Sequence, residues 1–319
     1  MVISVESKGY ILVFFAVFIW SFGEILIKLL QNSVGPFAYP FLRFFIGSLF
    51  LFSVLGIKKD FSGIKDIMKN PVLILLASVL GLGISHVLFF IGISKTFANT
   101  GSLIFTTYPI WTALYSIILL NERTNLKLKF IGMGIGIFGI AILMLSFQPT
   151  EFFNIEQFFK NYSHLLGSIL ALIASFFWSL YAVLGKKIQN KCEENKETSN
   201  YDLKFTALSF IVTSIAMLFL LIFTPDFEAI FHYDLNTWIL VLILGVVSSG
   251  VSYYLFFMGV RYIEVSKGIS LALLKPIIAI FFAFVILGED ITLILLFSLG
   301  IVIFSLYLIN KNISENEKE

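Results

Sequence analysis

The sequence predicts an all-α polytopic membrane protein of ten transmembrane helices, arranged as two inverted five-helix repeats. Three observations carry this expectation. The chain is 58% hydrophobic and 13% charged, with a mean hydropathy of +0.95, whereas a soluble domain is about 25% charged. Ten apolar runs follow one another, each close to the roughly 20 residues a helix needs to cross a bilayer core. Short motifs of the first half return in the second.

The runs cover roughly 9–30, 36–57, 72–93, 98–120, 128–147, 164–185, 204–224, 236–258, 266–287 and 291–310. In lipid a backbone must satisfy its own hydrogen bonds, so each run reads as a helix. Barrel strands would alternate polar and apolar residues; "ILVFFAVFIW" does not. The first run is too long for a signal peptide, lacks an A-x-A-like site and contains Glu24.

Orientation follows from the basic residues of the loops. With the N-terminus in the cytoplasm, 17 Lys and Arg fall in inside segments and two, Lys95 and Lys160, fall outside. Both termini are therefore expected in the cytoplasm, with the protein in the plasma or inner membrane. The segment "NKCEENKETSNYDLK" reads as a solvated linker. A single cysteine, Cys192, precludes an intrachain disulfide, and a net charge of +2 gives no reason to expect nucleic acid.

The internal repeat is visible in short matches. "WSFGEILIK" begins at Trp20 and "WSLYAVLGK" at Trp178, 158 residues later. "FFIG" ending at Gly92 matches "FFMG" ending at Gly259; Pro109 matches Pro276, and Glu122 matches Glu289, all 167 residues apart. Five helices per copy would bring the second copy into the membrane the other way up, an architecture used for alternating access. The expected units are residues 1–147, a linker at 148–163 and residues 164–319.

These residues resemble the EamA family of the drug/metabolite transporter superfamily. The matching features are the early Trp of helices 1 and 6, the Lys eight residues on, and Arg43 of helix 2. A proline in mid helix followed by a Glu at the helix end recurs in "YPIWTALYSIILLNE" and "KPIIAIFFAFVILGE", and "GMGIGIFG" gives a Gly-rich helix 5. The resemblance covers about residues 10–310. It implies a ten-helix secondary transporter with a central cavity between helices 1–4 and 6–9, in a family that often exports amino acids and other small metabolites. The first copy ends "NE" rather than "GE", and helix 10 keeps only Gly300.

Charges inside a bilayer cost about 2.5–3.5 kcal/mol each on insertion scales, so they mark function or specific pairing. Five ionisable residues qualify: Glu24, Lys28, Arg43, His86 and Lys275. Glu24 and Lys28 are four residues apart on one helix face. They form either an intrahelical ion pair, with Lys28 snorkelling outward, or a cavity acid with a separate lysine; that acid would bind a substrate ammonium or carry a coupling proton. Arg43 suits a carboxylate or phosphate, or else snorkels outward or pairs with Glu24. Lys275, beside Pro276, is too deep to snorkel. The expected substrate-binding set is Trp20, Glu24, Arg43, His86, Thr106, Tyr108, Trp178, Tyr253 and Lys275. Pro109 and Pro276 are expected to kink the gating helices. Glu122 and Glu289 read as interfacial anchors or gate salt bridges.

Glu24, His86 and Lys275 correspond to Ala182, Tyr253 and Tyr108 in the other copy. What the copies share serves the fold; what they do not share is expected to serve an asymmetric substrate. Three cations against one acid favour a solute with a carboxylate or phosphate, such as an amino acid, moved outward by alternating access. A passive channel, a scaffold and an intramembrane enzyme are the other classes. The sequence carries no P-loop, H-E-x-x-H or G-x-S-x-G motif, and no cofactor is expected. Gly132 and Gly136 form a G-x-x-x-G that packs either within the chain or in a homodimer.

Overall fold

The computed structural model describes residues 5–120, 126–145, 162–194, 200–259, 262 and 274–311. Glu122, most of the linker at 148–163 and the start of the expected ninth run lie outside them. The described residues are helical, without a strand. Seven helices among them are long and apolar enough to cross a membrane, which makes the chain a multi-pass membrane protein. These are α1 (Val5–Leu30), α2 (Ala38–Lys58), α3 (Pro71–Lys95), α4 (Ala98–Leu119), then α6 (Tyr162–Glu194), α7 (Tyr201–Leu221) and α8 (Leu235–Phe256), with α5 (Leu126–Leu145) between the two groups. Shorter apolar helices α9 (Leu274–Leu287) and α10 (Leu293–Asn310) follow.

Local chemistry sets the breaks. Pro71 begins α3, where its missing N–H costs nothing. Thr106 and Thr107 interrupt α4 just before Pro109. Gly288, at φ +69°, ends α9 in the left-handed conformation that glycine tolerates. Asp234 and Thr292 cap α8 and α10 by accepting from Thr237 N and Leu295 N. Three stretches are π-helical: Leu76–Ile84 in α3, Leu244–Val251 in α8 and Ala283–Leu287 in α9. An extra residue per turn re-aims the side chains that follow. His86 and Tyr253, just beyond the first two stretches, are both buried.

Packing interlocks the two halves of the chain. Helix α1 lies against α8 and α9, α6 against α3 and α4, α2 against α7, and α5 against α10. Small residues permit these approaches, as expected where lipid gives helices no hydrophobic reason to associate. A Cβ on Gly92 would come within 2.9 Å of the Gly167 carbonyl, and one on Gly259 within 3.0 Å of the Gly9 carbonyl. The glycines of "FFIG" and "FFMG" therefore hold equivalent crossings, α3 on α6 and α8 on α1. The serines after the two motif tryptophans repeat this relation: Ser21 Oγ donates to the Lys275 carbonyl (3.1 Å) and Ser179 Oγ to the Tyr108 carbonyl (2.7 Å). Each carbonyl belongs to the residue preceding a proline, Pro276 or Pro109. Gly132 and Gly136 face Ser305 of α10, so the G-x-x-x-G stripe is occupied within the chain. Phenylalanines such as Phe14, Phe18, Phe297 and Phe304 point outward, where lipid is the expected neighbour.

Candidate functional site

On α1, Trp20, Gly23, Glu24 and Ile27 recur at spacings of three and four, so one helix stripe faces inward. Opposite it, α2 contributes Arg43, α3 contributes His86 and Phe89, and α4 contributes Phe105 and Tyr108. Trp178 of α6, Tyr253 of α8 and Lys275 of α9 complete the wall. Together they enclose a cavity of about 30 Å³. Small-molecule pockets are usually about 300–1,000 Å³, so this conformation is contracted, with room for water only.

Eight of the nine expected binding residues line this one cavity. Thr106 does not. Its hydroxyl turns back to the Ser102 carbonyl at 2.8 Å, the usual local bond of a threonine at a helix break. Pro109 and Pro276 are buried immediately behind Tyr108 and Lys275.

Of the two arrangements the sequence left open for Glu24, the i,i+4 pair with Lys28 is absent and the acid faces the cavity. Glu24 pairs across helices with Lys275, at 2.5 Å, and its other carboxylate oxygen accepts from Ser102 of α4. The Lys275 ammonium also lies 4.8 Å from the centre of the Phe105 ring, a cation–π contact. Lys28 instead donates to the carbonyls of Ile93 (2.7 Å) and Thr96 (2.6 Å), where the C-terminus of α3 offers unsatisfied acceptors. The intrahelical Glu24–Lys28 pair is therefore not formed, and Lys28 leaves the cavity. Arg43 does not pair with Glu24 either. Its Nε donates to Ser249 Oγ (2.7 Å), Nη1 to Tyr39 Oη (2.5 Å) and Nη2 to the Ser248 carbonyl (3.4 Å). Arg43 has no ion pair among the described residues. A guanidinium has five N–H donors, so two remain for another acceptor.

Neutral groups finish the lining. His86 Nδ1–H donates to the Leu82 carbonyl at 2.8 Å, leaving Nε2 as an acceptor. Trp178 Nε1 donates to Tyr253 Oη at 3.2 Å. Trp20 Nε1, also buried, has no partner among the described residues. Trp20 packs on Tyr253 and Trp178 on Tyr108, with ring centres 5.0 and 4.3 Å apart.

Glu289 is an anchor of a specific kind. Its two carboxylate oxygens accept from the backbone N–H groups of Ala98 (2.7 Å) and Asn99 (2.9 Å), capping the N-terminus of α4. Gly23, Ile27, Phe89, Phe105 and Ser102 were not expected at the site. A spacing of three from Trp20, Glu24 and His86 would have found Gly23, Ile27 and Phe89. Phe105 is one of 37 phenylalanines, and nothing local marks Ser102. No group of three His, Cys, Asp or Glu able to hold a metal occurs among the described residues.

The family model described as "EamA-like transporter family" matches residues 7–145 and 165–311. An uncharacterized transporter, YoaV of Bacillus subtilis (strain 168), is 28% identical over 276 residues, covering 86% of this chain and 87% of the relative. The S-adenosylmethionine/S-adenosylhomocysteine transporter of Chlamydia muridarum is 25% identical, covering 96% and 92% of the two chains. The riboflavin transporter ImpX of Fusobacterium nucleatum subsp. nucleatum is also 25% identical, covering 95% and 98%. A solved crystal structure superposes with a TM-score of 0.63 over 95% of this chain and 96% of that one, at 16% identity, a likeness of fold.

Proposed function

Because the chain belongs to the EamA-like transporter family, we propose that it is a secondary transporter of a small polar metabolite, working by alternating access. The observation that carries the substrate class is the charge of the cavity. Lys275 is neutralised by Glu24, whereas Arg43 has no acidic partner among the described residues. One uncompensated positive charge suits a single carboxylate or phosphate, held by the free edge of the guanidinium. The rings of Trp20, Phe105, Tyr108 and Trp178 would cover a flat or apolar body. The solute is a monoanion or zwitterion, such as an amino acid or a related carboxylate, moved outward. Relatives named for S-adenosylmethionine and riboflavin carry solutes with flat heterocycles, in keeping with an aromatic wall.

Ten membrane spans in two inverted repeats, 1–147 and 164–319 with a linker at 148–163, are part of the same reading. The paired Ser21 and Ser179 bonds, the paired glycine crossings and the π-helical stretches of α3 and α8 support it. The termini are cytoplasmic, in the plasma or inner membrane, so the Lys28 end of α1 faces outward. Rocking of the repeats would open the contracted cavity to each side in turn, with the helices bearing Pro109 and Pro276 as moving parts. Glu24 is the candidate carrier of a coupling proton: protonation would release Lys275 for the substrate.

The test is a thermal-shift screen of anionic and zwitterionic metabolites, followed by transport of the hits into proteoliposomes. Arg43→Ala should abolish saturable transport at matched insertion. Unchanged transport by Arg43→Ala removes the substrate assignment.

A further inference from the structure

A second, larger cavity of about 540 Å³ lies near the end of α1. The 31–36 connection between α1 and α2, Phe90 and Ser94 of α3, and Asp226 line it. We infer that this crevice is the outer access route to the central cavity, and that the stacked rings of Phe90 and Tyr39 are the gate that closes it. The inference rests on the transport reading and its orientation.

Adjacent residues on α3 reach the two cavities: Phe89 lines the central one and Phe90 the crevice. Successive side chains of a helix point about 100° apart, so one helix forms the partition. Phe90 stacks on Tyr39, with ring centres 4.7 Å apart and planes 25° apart, and both residues are buried. Tyr39 Oη accepts from Arg43 Nη1 at 2.5 Å, and Arg43 lines the central cavity. The chain of contacts from crevice to cavity is therefore Phe90, Tyr39 and Arg43, one aromatic layer thick.

This arrangement links the gate to occupancy. A substrate carboxylate is a stronger acceptor for a guanidinium than a neutral phenol. A carboxylate held by the two free N–H groups of Nη1 and Nη2 draws the guanidinium toward itself, which weakens the Nη1 bond to Tyr39 Oη and loosens the stack with Phe90. The crevice itself offers Gln31, Asn32, Ser33 and Ser94, but no cation. Asp226 accepts from the Phe37 backbone N–H at 3.3 Å and so ties the crevice wall to the start of α2. Such a lining can hydrate a passing polar solute and offers no cation to hold its acid group.

Thiol labelling tests the gate without any substrate. In a Cys192→Ser background, which removes the single native cysteine, Ser94→Cys reports on the crevice and Ile27→Cys on the central cavity. A membrane-impermeant thiol reagent is added outside intact cells. Ser94→Cys should label readily and Ile27→Cys slowly. Adding Phe90→Ala should speed labelling of Ile27→Cys roughly tenfold, the scale of losing an aromatic stack. Phe90→Leu, which keeps most of the bulk, carries the comparison if Phe90→Ala does not insert. The gate assignment is overturned if Ser94→Cys labels only in inverted vesicles, if Ile27→Cys already labels fast, or if its rate ignores Phe90. A failed transport assay would leave this labelling result standing, and a failed labelling would leave transport standing.

Discussion

Removing Lys275 should unsettle the protein more than removing the whole Glu24–Lys275 pair. The two groups are 2.5 Å apart, with side chains 4% and 7% exposed. Breaking such a pair by deleting one partner costs about 3–5 kcal/mol, because a buried charge is left uncompensated. Replacing both partners with neutral side chains of similar volume is often close to neutral. Lys275→Met alone should thus lower the melting temperature in detergent by about 6–10 °C, at roughly 2 °C per kcal/mol for a chain of this size. The double variant Glu24→Gln with Lys275→Met should recover most of that loss. Ser102 can still bond the amide, and Phe105 can pack on the thioether. Fluorescence-monitored melting at neutral pH reads all three proteins. Equal melting of the single and double variants would refute the pair as a coupled buried unit.

Other expectations follow from the same contacts. Arg43→Lys keeps the charge but loses the fork that reaches Ser249 and Tyr39 together. Substrate affinity, read by thermal shift, should fall about tenfold or more. Lys28→Met leaves the carbonyls of Ile93 and Thr96 without their charged donor. It should destabilise the packing of α1 on the end of α3 by about 1.5–3 kcal/mol, read as faster hydrogen exchange at the end of α3 with little change in α2. Gly92→Val would drive a side chain into the Gly167 carbonyl. Overpacking of this kind costs about 1–3 kcal/mol, and yield of folded protein should fall where the exposed Gly134→Val is tolerated.

Much of the site was legible because lipid makes polar residues conspicuous. Glu24, Arg43, His86 and Lys275 stand out in apolar runs, and the chain gathers all four at one cavity. The tryptophans and Tyr253 were found through the repeat. Pairing was not legible. Lys28 sits one turn from Glu24, yet its ammonium goes to the end of α3, while Lys275, 251 residues from Glu24, takes the carboxylate. Helix spacing says which face a residue occupies; only the packing of α9 and α4 against α1 says what stands opposite. Thr106 was placed by spacing alone, and spacing does not show that its hydroxyl bonds the Ser102 carbonyl of its own helix. Phe90 and Phe105 were hidden by abundance. Nothing in "FFIG" says that its two rings serve two cavities.

The central claim is a carrier with one alternately exposed, singly cationic site. Counterflow in proteoliposomes tests it most directly, using a monoanionic or zwitterionic solute from the thermal-shift screen. Internal unlabelled solute should drive transient accumulation of external labelled solute above equilibrium, and Arg43→Ala should abolish it. Labelled solute that merely equilibrates, at a rate indifferent to internal solute, would contradict the account and make the protein a channel.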